Sequence, residues 1–160
     1  MGIEIERKFL VKDNFVKNMI YTNKYNNKIN IKQGYITNSP EKVVRVRISN
    51  NNAYLTIKGK NDGPSRLEFE YDISLSDAEH MIENMCENII EKIRYIFKIS
   101  DDIWEVDVFG GNNDGLIVAE AEIPSIDYPL SIPEWIKMEV TDDIKYYNNN
   151  LSINPYTKWN

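Results

Sequence analysis

The sequence predicts an α+β domain built on a mostly antiparallel sheet, and three observations predict it. Stretches of strict apolar/polar alternation recur along the chain, the period of strands with one buried face. Helical spacing of apolar residues appears in only a few places, interrupting runs of strands. The chain has 160 residues, 42% hydrophobic and 28% charged. That is enough for one domain with a sizeable core, residues 1–160, and too little for two ordinary ones.

The first strand lies in "MGIEIERKFL", where Glu4, Glu6 and Lys8 share one face while Ile3, Ile5 and Phe9 take the other. "DNFVKNMI" reads as a short helix, and "IKQGYIT" as the second strand. "KVVRVRIS" sets Arg45 and Arg47 against Val44, Val46 and Ile48; the Asn-rich turn at 50–52 then leads into "AYLTIKGK", a plausible hairpin. "SRLEFEYDI" puts Arg66, Glu68, Glu70 and Asp72 opposite Leu67, Phe69, Tyr71 and Ile73. A helix over "SDAEHMIENMCENII" opens with a capping-box pattern, Ser76 followed by Glu79. Cys86 is expected in its core face and His80 on its surface. Three more strands follow: "EKIRYIFKI" with Lys92 and Arg94 on its polar face, "IWEVDVF" with Glu105 and Asp107, and "LIVAEAEIP" with Glu120 and Glu122. "IPEWIK" is expected to form a short helical turn after Pro133, and "TDDIKYYNNNL" a helix capped by Thr141 with Asn residues near its end. The total is about eight strands and a few helices.

Several function classes are excluded by composition. A single cysteine and a single histidine leave no disulfide, no Cys/His zinc site and no nucleophile–histidine pairing to build on. The net charge of −6 argues against a nucleic-acid surface but not against a local basic pocket. No apolar run approaches the ~20 residues of a membrane span, and no signal-like segment opens the chain. The expectation is a cytoplasmic protein that does not engage membrane. The oligomeric state is left open.

The charged faces carry the chemistry. A half-exposed sheet usually shows Thr, Ser, Gln and Tyr on its polar side, since Glu, Asp and Lys are disfavoured in strands. Here formal charges dominate and are sorted by sign, bases on some strands and acids on others. If the sheet closed with these faces inward, its lumen would hold Lys8, Arg45, Arg47, Lys58, Lys92 and Arg94 with a similar number of acids. Such a lumen must be wet and internally paired, with a polyanion and a divalent cation as its natural guests. Carboxylates without His or Cys suit Mg²⁺ or Mn²⁺, and metal facing a basic cluster suits phosphoryl transfer.

The Glu4-x-Glu6-x-Lys8 run in "EIERKFLV" resembles the signature of the CYTH superfamily, the triphosphate tunnel metalloenzymes. "QGYI", "VRVR", "LTIKGK", "RLEFEY", "KIRYIF", "WEVDVF", "AEAEI" and "EVTDDIKYYNNNLS" follow in the family's order, over nearly the whole chain. The resemblance implies an eight-stranded antiparallel β-barrel, the tunnel, with a few flanking helices. It implies that Glu4, Glu6 and Glu122, with Glu120, hold Mg²⁺ or Mn²⁺, and that Lys8, Arg45, Arg47, Lys58, Lys92 and Arg94 grip the triphosphate. Glu68, Glu70, Glu105 and Asp107 match the remaining tunnel acids, which orient the bases or bind a second metal or the attacking water. Lys92, crowded among cations, is the candidate general base, with Tyr35 beside it. Lys145 is a further candidate at the tunnel mouth, and Arg7 points outward.

The activity implied is metal-dependent hydrolysis of inorganic triphosphate, a small partner, to diphosphate and phosphate. Thiamine-triphosphatase, nucleoside or RNA triphosphatase, class IV-type adenylate cyclase and a non-catalytic polyphosphate-binding barrel are the alternatives. The absence of a separate base-reading motif favours the simplest substrate, and no nucleic-acid partner is expected.

Overall fold

The computed structural model describes residues 2–159. Nine strands, β1 (Gly2–Val11), β2 (Asn27–Asn38), β3 (Val43–Ser49), β4 (Asn52–Lys58), β5 (Ser65–Ile73), β6 (Ile90–Ile99), β7 (Asp102–Phe109), β8 (Ile117–Glu122) and β9 (Ile136–Glu139), form one sheet. Three α-helices, α1 (Asp13–Tyr21), α2 (Leu75–Met85) and α3 (Asn148–Ile153), accompany them. The strand order β5-β4-β3-β2-β6-β7-β8-β1 closes through a further β5–β1 pairing, and every neighbouring pair is antiparallel. The result is the expected eight-stranded barrel, with β9 lying outside against the end of β1. Closure leaves no barrel edge exposed to stray pairing.

Strand β1 makes closure possible by dividing its partners. Its first half, Gly2–Ile5, pairs with β5, and its second half, Glu6–Leu10, pairs with β8. The pleat therefore carries Glu4, Glu6 and Lys8 onto the lumen. Apolar residues of β1, β6, β7 and β8 are driven outward instead. There Phe9, Tyr95, Phe97, Trp104, Val106, Ala119 and Ala121 form a buried cluster with Val16 of α1 and with Trp135. Helix α2 covers a second outer cluster, Val46, Ala53, Ala78 and Ile82. A third cluster is inside one end of the barrel, where Leu151 of α3 packs on Ile90, Phe109 and Val118. Hydrophobic burial thus lies outside the tunnel wall and at one end, leaving the middle of the lumen to charge.

Four local expectations are corrected. "IPEWIK" is not a helical turn: Trp135 closes a hydrogen-bonded turn and residues from Ile136 pair with β1 as β9. The helix in the middle of the chain is capped by Ser74 rather than Ser76, the Ser74 hydroxyl accepting from Asp77 N–H. It stops at Met85, so Cys86 is its extended, half-buried C-cap and not a core helical residue. Cys86 lies against β2, where a Cβ on Gly34 would come within 2.6 Å of the Cys86 Cβ, so only glycine fits in "QGY". Finally, the C-terminal helix is broken. Residues 144–146 form a 3₁₀ turn capped by Asp143, and the Asn run that was read as a helix end instead begins α3. Thr141 caps nothing; its hydroxyl accepts from Lys8 N–H and donates to Glu139. His80 is exposed, as expected.

Candidate active site

A cavity of about 280 Å³ runs inside the barrel. All the sequence-assigned residues line it except Lys145 and two residues, Lys92 and Asp107, that lie buried behind Arg94. Their pairing follows the strand registers. Lys8 faces Glu120 across β1–β8 at 3.1 Å, and Lys58 reaches Glu4 at 3.1 Å and Glu68 at 3.3 Å. Arg94 holds Asp107 through two bonds of 2.7 and 2.9 Å and Glu105 through a third of 2.9 Å. Lys92 reaches Asp107 at 2.6 Å and donates to Asn148. Arg45 donates to Thr56, whose hydroxyl donates to Glu70, and the guanidinium stands 3.7 Å from Glu70.

The pairing is incomplete in both signs. Arg47 makes no ion pair among the described residues; its Nε donates to the amide oxygen of Gln33 at 2.8 Å. Burial beside Arg45 and Arg94 brings the Arg47 guanidinium down to about 9, the signature of a cation short of anions. Arg45 Nε is buried without a partner. On the acid side, Glu6 faces Glu122 directly across β1–β8, and neither carboxylate meets a cation among the described residues. Burial and the charges of Glu120 and Glu4 push the Glu6 carboxyl well above the usual range, and burial with Glu4 and Glu105 raises Glu122. Glu120 and Asp107, by contrast, are held low by their cations despite burial. The lumen thus holds one arginine without an acid, Arg47, and two acids without a cation, Glu6 and Glu122, among the described residues.

A CYTH domain profile matches residues 2–145. The chain belongs to the CYTH family. A curated inorganic triphosphatase from Acetivibrio thermocellus is 45% identical over 98% of this chain and 97% of its own. One from Nitrosomonas europaea is 32% identical over 94% of this chain and 97% of its own. A solved inorganic triphosphatase structure superimposes with a TM-score of 0.64 at 29% identity, covering 96% of each chain. A solved structure from Pyrococcus furiosus, 21% identical with a TM-score of 0.59, covers 78% of this chain and 80% of its own and shares the fold alone.

Membership in the CYTH family implies a divalent metal, and the donors present decide whether one fits. Among the described residues no three acids form a ready-made cluster. Glu4, Glu6 and Glu122 are nevertheless neighbours, all oxygen donors, and Glu6 and Glu122 make no ion pair among the described residues. That set fits a hard divalent cation. Glu120 is engaged by Lys8 and Glu4 shares its charge with Lys58, so Glu6 and Glu122 are the freest ligands.

Lys92 lies deeper than its strand position implies, outside the cavity lining. Its ammonium is fully buried, over the Phe109 ring and against Asp107. Burial with Arg94 and Arg47 outweighs the pull of Asp107 and brings it down to about 7. A lysine depressed in the fold binds fewer protons than the unfolded chain between about 7 and its ordinary value. Its cost to stability is therefore complete below pH 7 and relieved as pH rises above it. Lys92→Met should raise the melting temperature more at pH 6 than at pH 9, read by thermal unfolding; an equal gain at both would place the charge elsewhere. Tyr35 lines the cavity, and burial raises its phenol. The Lys145 ammonium lies over the Tyr146 and Trp159 rings and is not part of the wall. Arg7 points outward, bonded to Glu139.

The sequence places Arg66 on the charged face without a role; it lines the cavity beside Glu4 in register and donates to Gly59 O. Its period with Glu68 and Glu70 was the available signal. The sequence reading missed Gln33, buried and bonded to Tyr35 and Arg47, for which alternation with Tyr35 was the clue. Thr141, Tyr147, Asn148 and Asn149 join the wall from the C-terminal segment, and Lys8 stacks its ammonium on Tyr147. No period marks those residues.

Proposed function

We propose that this chain hydrolyses inorganic triphosphate to diphosphate and phosphate, with Mg²⁺ or Mn²⁺, in the cytoplasm. One observation carries the reading: a closed tunnel pairs most of its charges internally yet leaves the cation Arg47 and the acids Glu6 and Glu122 without ion-pair partners among the described residues. A metal–polyphosphate ion supplies both missing partners. Two curated relatives, matched along nearly the full length of this chain, are named inorganic triphosphatases.

In this reading Lys8, Arg45, Arg47, Lys58 and Arg94 bind the phosphate oxygens. The two arginines of β3 offer forked donors and the lysines point charges, which fixes the chain of phosphates along the tunnel. Glu4, Glu6 and Glu122 hold the cation, with Glu120 positioned to join or to orient Lys8. When bound, that cation offsets phosphate charge and so favours charge build-up during in-line attack by water. Asp107, Glu105, Glu68 and Glu70 hold Arg94, Lys92, Lys58 and Arg45 in place, so the donors need no rearrangement at the moment of reaction. Tyr35 faces the phosphoryl oxygens, whereas Lys92, whose ammonium does not reach the cavity, acts through Asp107 on Arg94 and not as the proton acceptor.

The cavity wall favours a bare triphosphate over its nucleoside or thiamine esters. Its volume lies below the ~300 Å³ at which drug-sized pockets begin, and Val43 and Pro64 are its sole aliphatic side chains among the described residues. Phosphate release from tripolyphosphate, ATP and thiamine triphosphate, with Lys8→Ala as the blank, tests the choice. Release from tripolyphosphate at least tenfold faster than from the other two is expected. Cyclic AMP from ATP without phosphate release from tripolyphosphate would make the protein a cyclase.

A further inference from the structure

Gln33 is fully buried on β2, with a bond at each end of its side chain. Its Oε1 accepts from Arg47 Nε at 2.8 Å, and its Nε2 donates to the Tyr35 hydroxyl at 3.0 Å. The amide cannot be turned the other way. A guanidinium only donates, so the end facing Arg47 must be the carbonyl oxygen, and the end facing Tyr35 must be the NH₂. Tyr35 oxygen is therefore an acceptor in that bond, and its own proton must go elsewhere. Among the described residues the hydroxyl finds no acceptor, and Tyr35 lines the tunnel cavity. Across the β2–β3 ladder it stands in register with Arg45, whose Nε is also a buried donor without a partner.

We propose that Gln33 is a positioning residue that makes the Tyr35 hydroxyl an obligate hydrogen-bond donor toward the bound triphosphate. Arg47 sets the amide, the amide sets the phenol, and the phenol proton faces the cavity. Tyr35 then stabilises phosphoryl oxygens and does not accept a proton from water. The inference rests on the triphosphatase reading for its ligand, but the hydrogen-bond direction does not.

Gln33→Glu tests it with little change of shape. A carboxylate still accepts from Arg47 but cannot donate to Tyr35, so the phenol proton swings toward position 33 and away from the cavity. Tyr35→Phe removes the same donor directly. Each single variant is expected to lower kcat/KM for tripolyphosphate about tenfold or more, the weight of one hydrogen bond to a charged group. The double variant should lose less than the product of the two single losses, because only the pairing of Arg47 by the new carboxylate remains once the phenol is gone; a purely structural or charge effect at position 33 would multiply with Tyr35→Phe in full. The full Gln33→Glu loss recurring in the Tyr35→Phe background overturns the proposal. If Gln33→Glu does not fold, Tyr35→Phe decides, and kcat/KM within twofold of the parent overturns it. If the parent binds tripolyphosphate without hydrolysing it, the triphosphatase reading has failed, and the same cycle is scored on tripolyphosphate Kd in chelator.

Discussion

Replacing Glu6 with glutamine is expected to cut metal-dependent phosphate release by about a hundredfold or more, the scale of several kcal/mol of lost charge stabilisation. The change keeps the shape of the side chain and removes one charge from a set with too many. Glu6 faces Glu122 across the ladder and lies near Glu120 and Glu4, whose charges hold its carboxyl well above the usual range. The amide relieves that repulsion, so the folded protein should melt at the same temperature or higher. Loss of activity with stability intact is the combination that identifies a ligand. Full activity in Glu6→Gln would remove the metal from this end of the tunnel.

Asp107→Ala should do the opposite and destabilise the fold by about 3–5 kcal/mol, the cost of leaving buried charge without its partner. Asp107 is 1% exposed and holds both Arg94 and Lys92. Arg94 retains Glu105, but Lys92 keeps only the neutral Asn148. Urea unfolding reads the loss, and a change below about 1 kcal/mol would mean that water or neighbouring acids compensate freely. The pH dependence follows from the same contacts. Arg94 and Lys92 hold the Asp107 carboxyl down to about 2. Its stabilisation is complete above the ordinary carboxylate range and is lost as pH falls toward 2, a loss that Asp107→Ala should not show.

The barrel was legible because its wall obeys one rule. Glu4, Glu6, Lys8, Arg45, Arg47, Lys58, Arg94, Glu105, Glu120 and Glu122 all occupy alternate positions of strands, and register alone brings Lys8 to Glu120 and Arg94 to Asp107. What failed was information without a period. The four residues of β9 are too few to show alternation, and Pro133 resembled a helix start; the strand exists because the end of β1 offers it a partner. Ser74 and Ser76 are each followed three residues on by an acid, so spacing did not choose between them. Asn148–Asn150 read as a stop, whereas Leu151 buried against Ile90, Phe109 and Val118 makes the run a start. The alternation also placed Lys92 on the lumen side correctly, but not its depth behind Arg94.

In this account the unpaired acids Glu6 and Glu122 and the basic wall around Arg47 receive a metal and a triphosphate together. The most direct test is phosphate release from tripolyphosphate as Mg²⁺ or Mn²⁺ is titrated into chelated protein, for the parent and for Glu6→Gln. Release that is absent in chelator, rises with metal in the parent and stays near background in the variant is the predicted result. Equal release with and without metal, or equal rates from the two proteins, would contradict it.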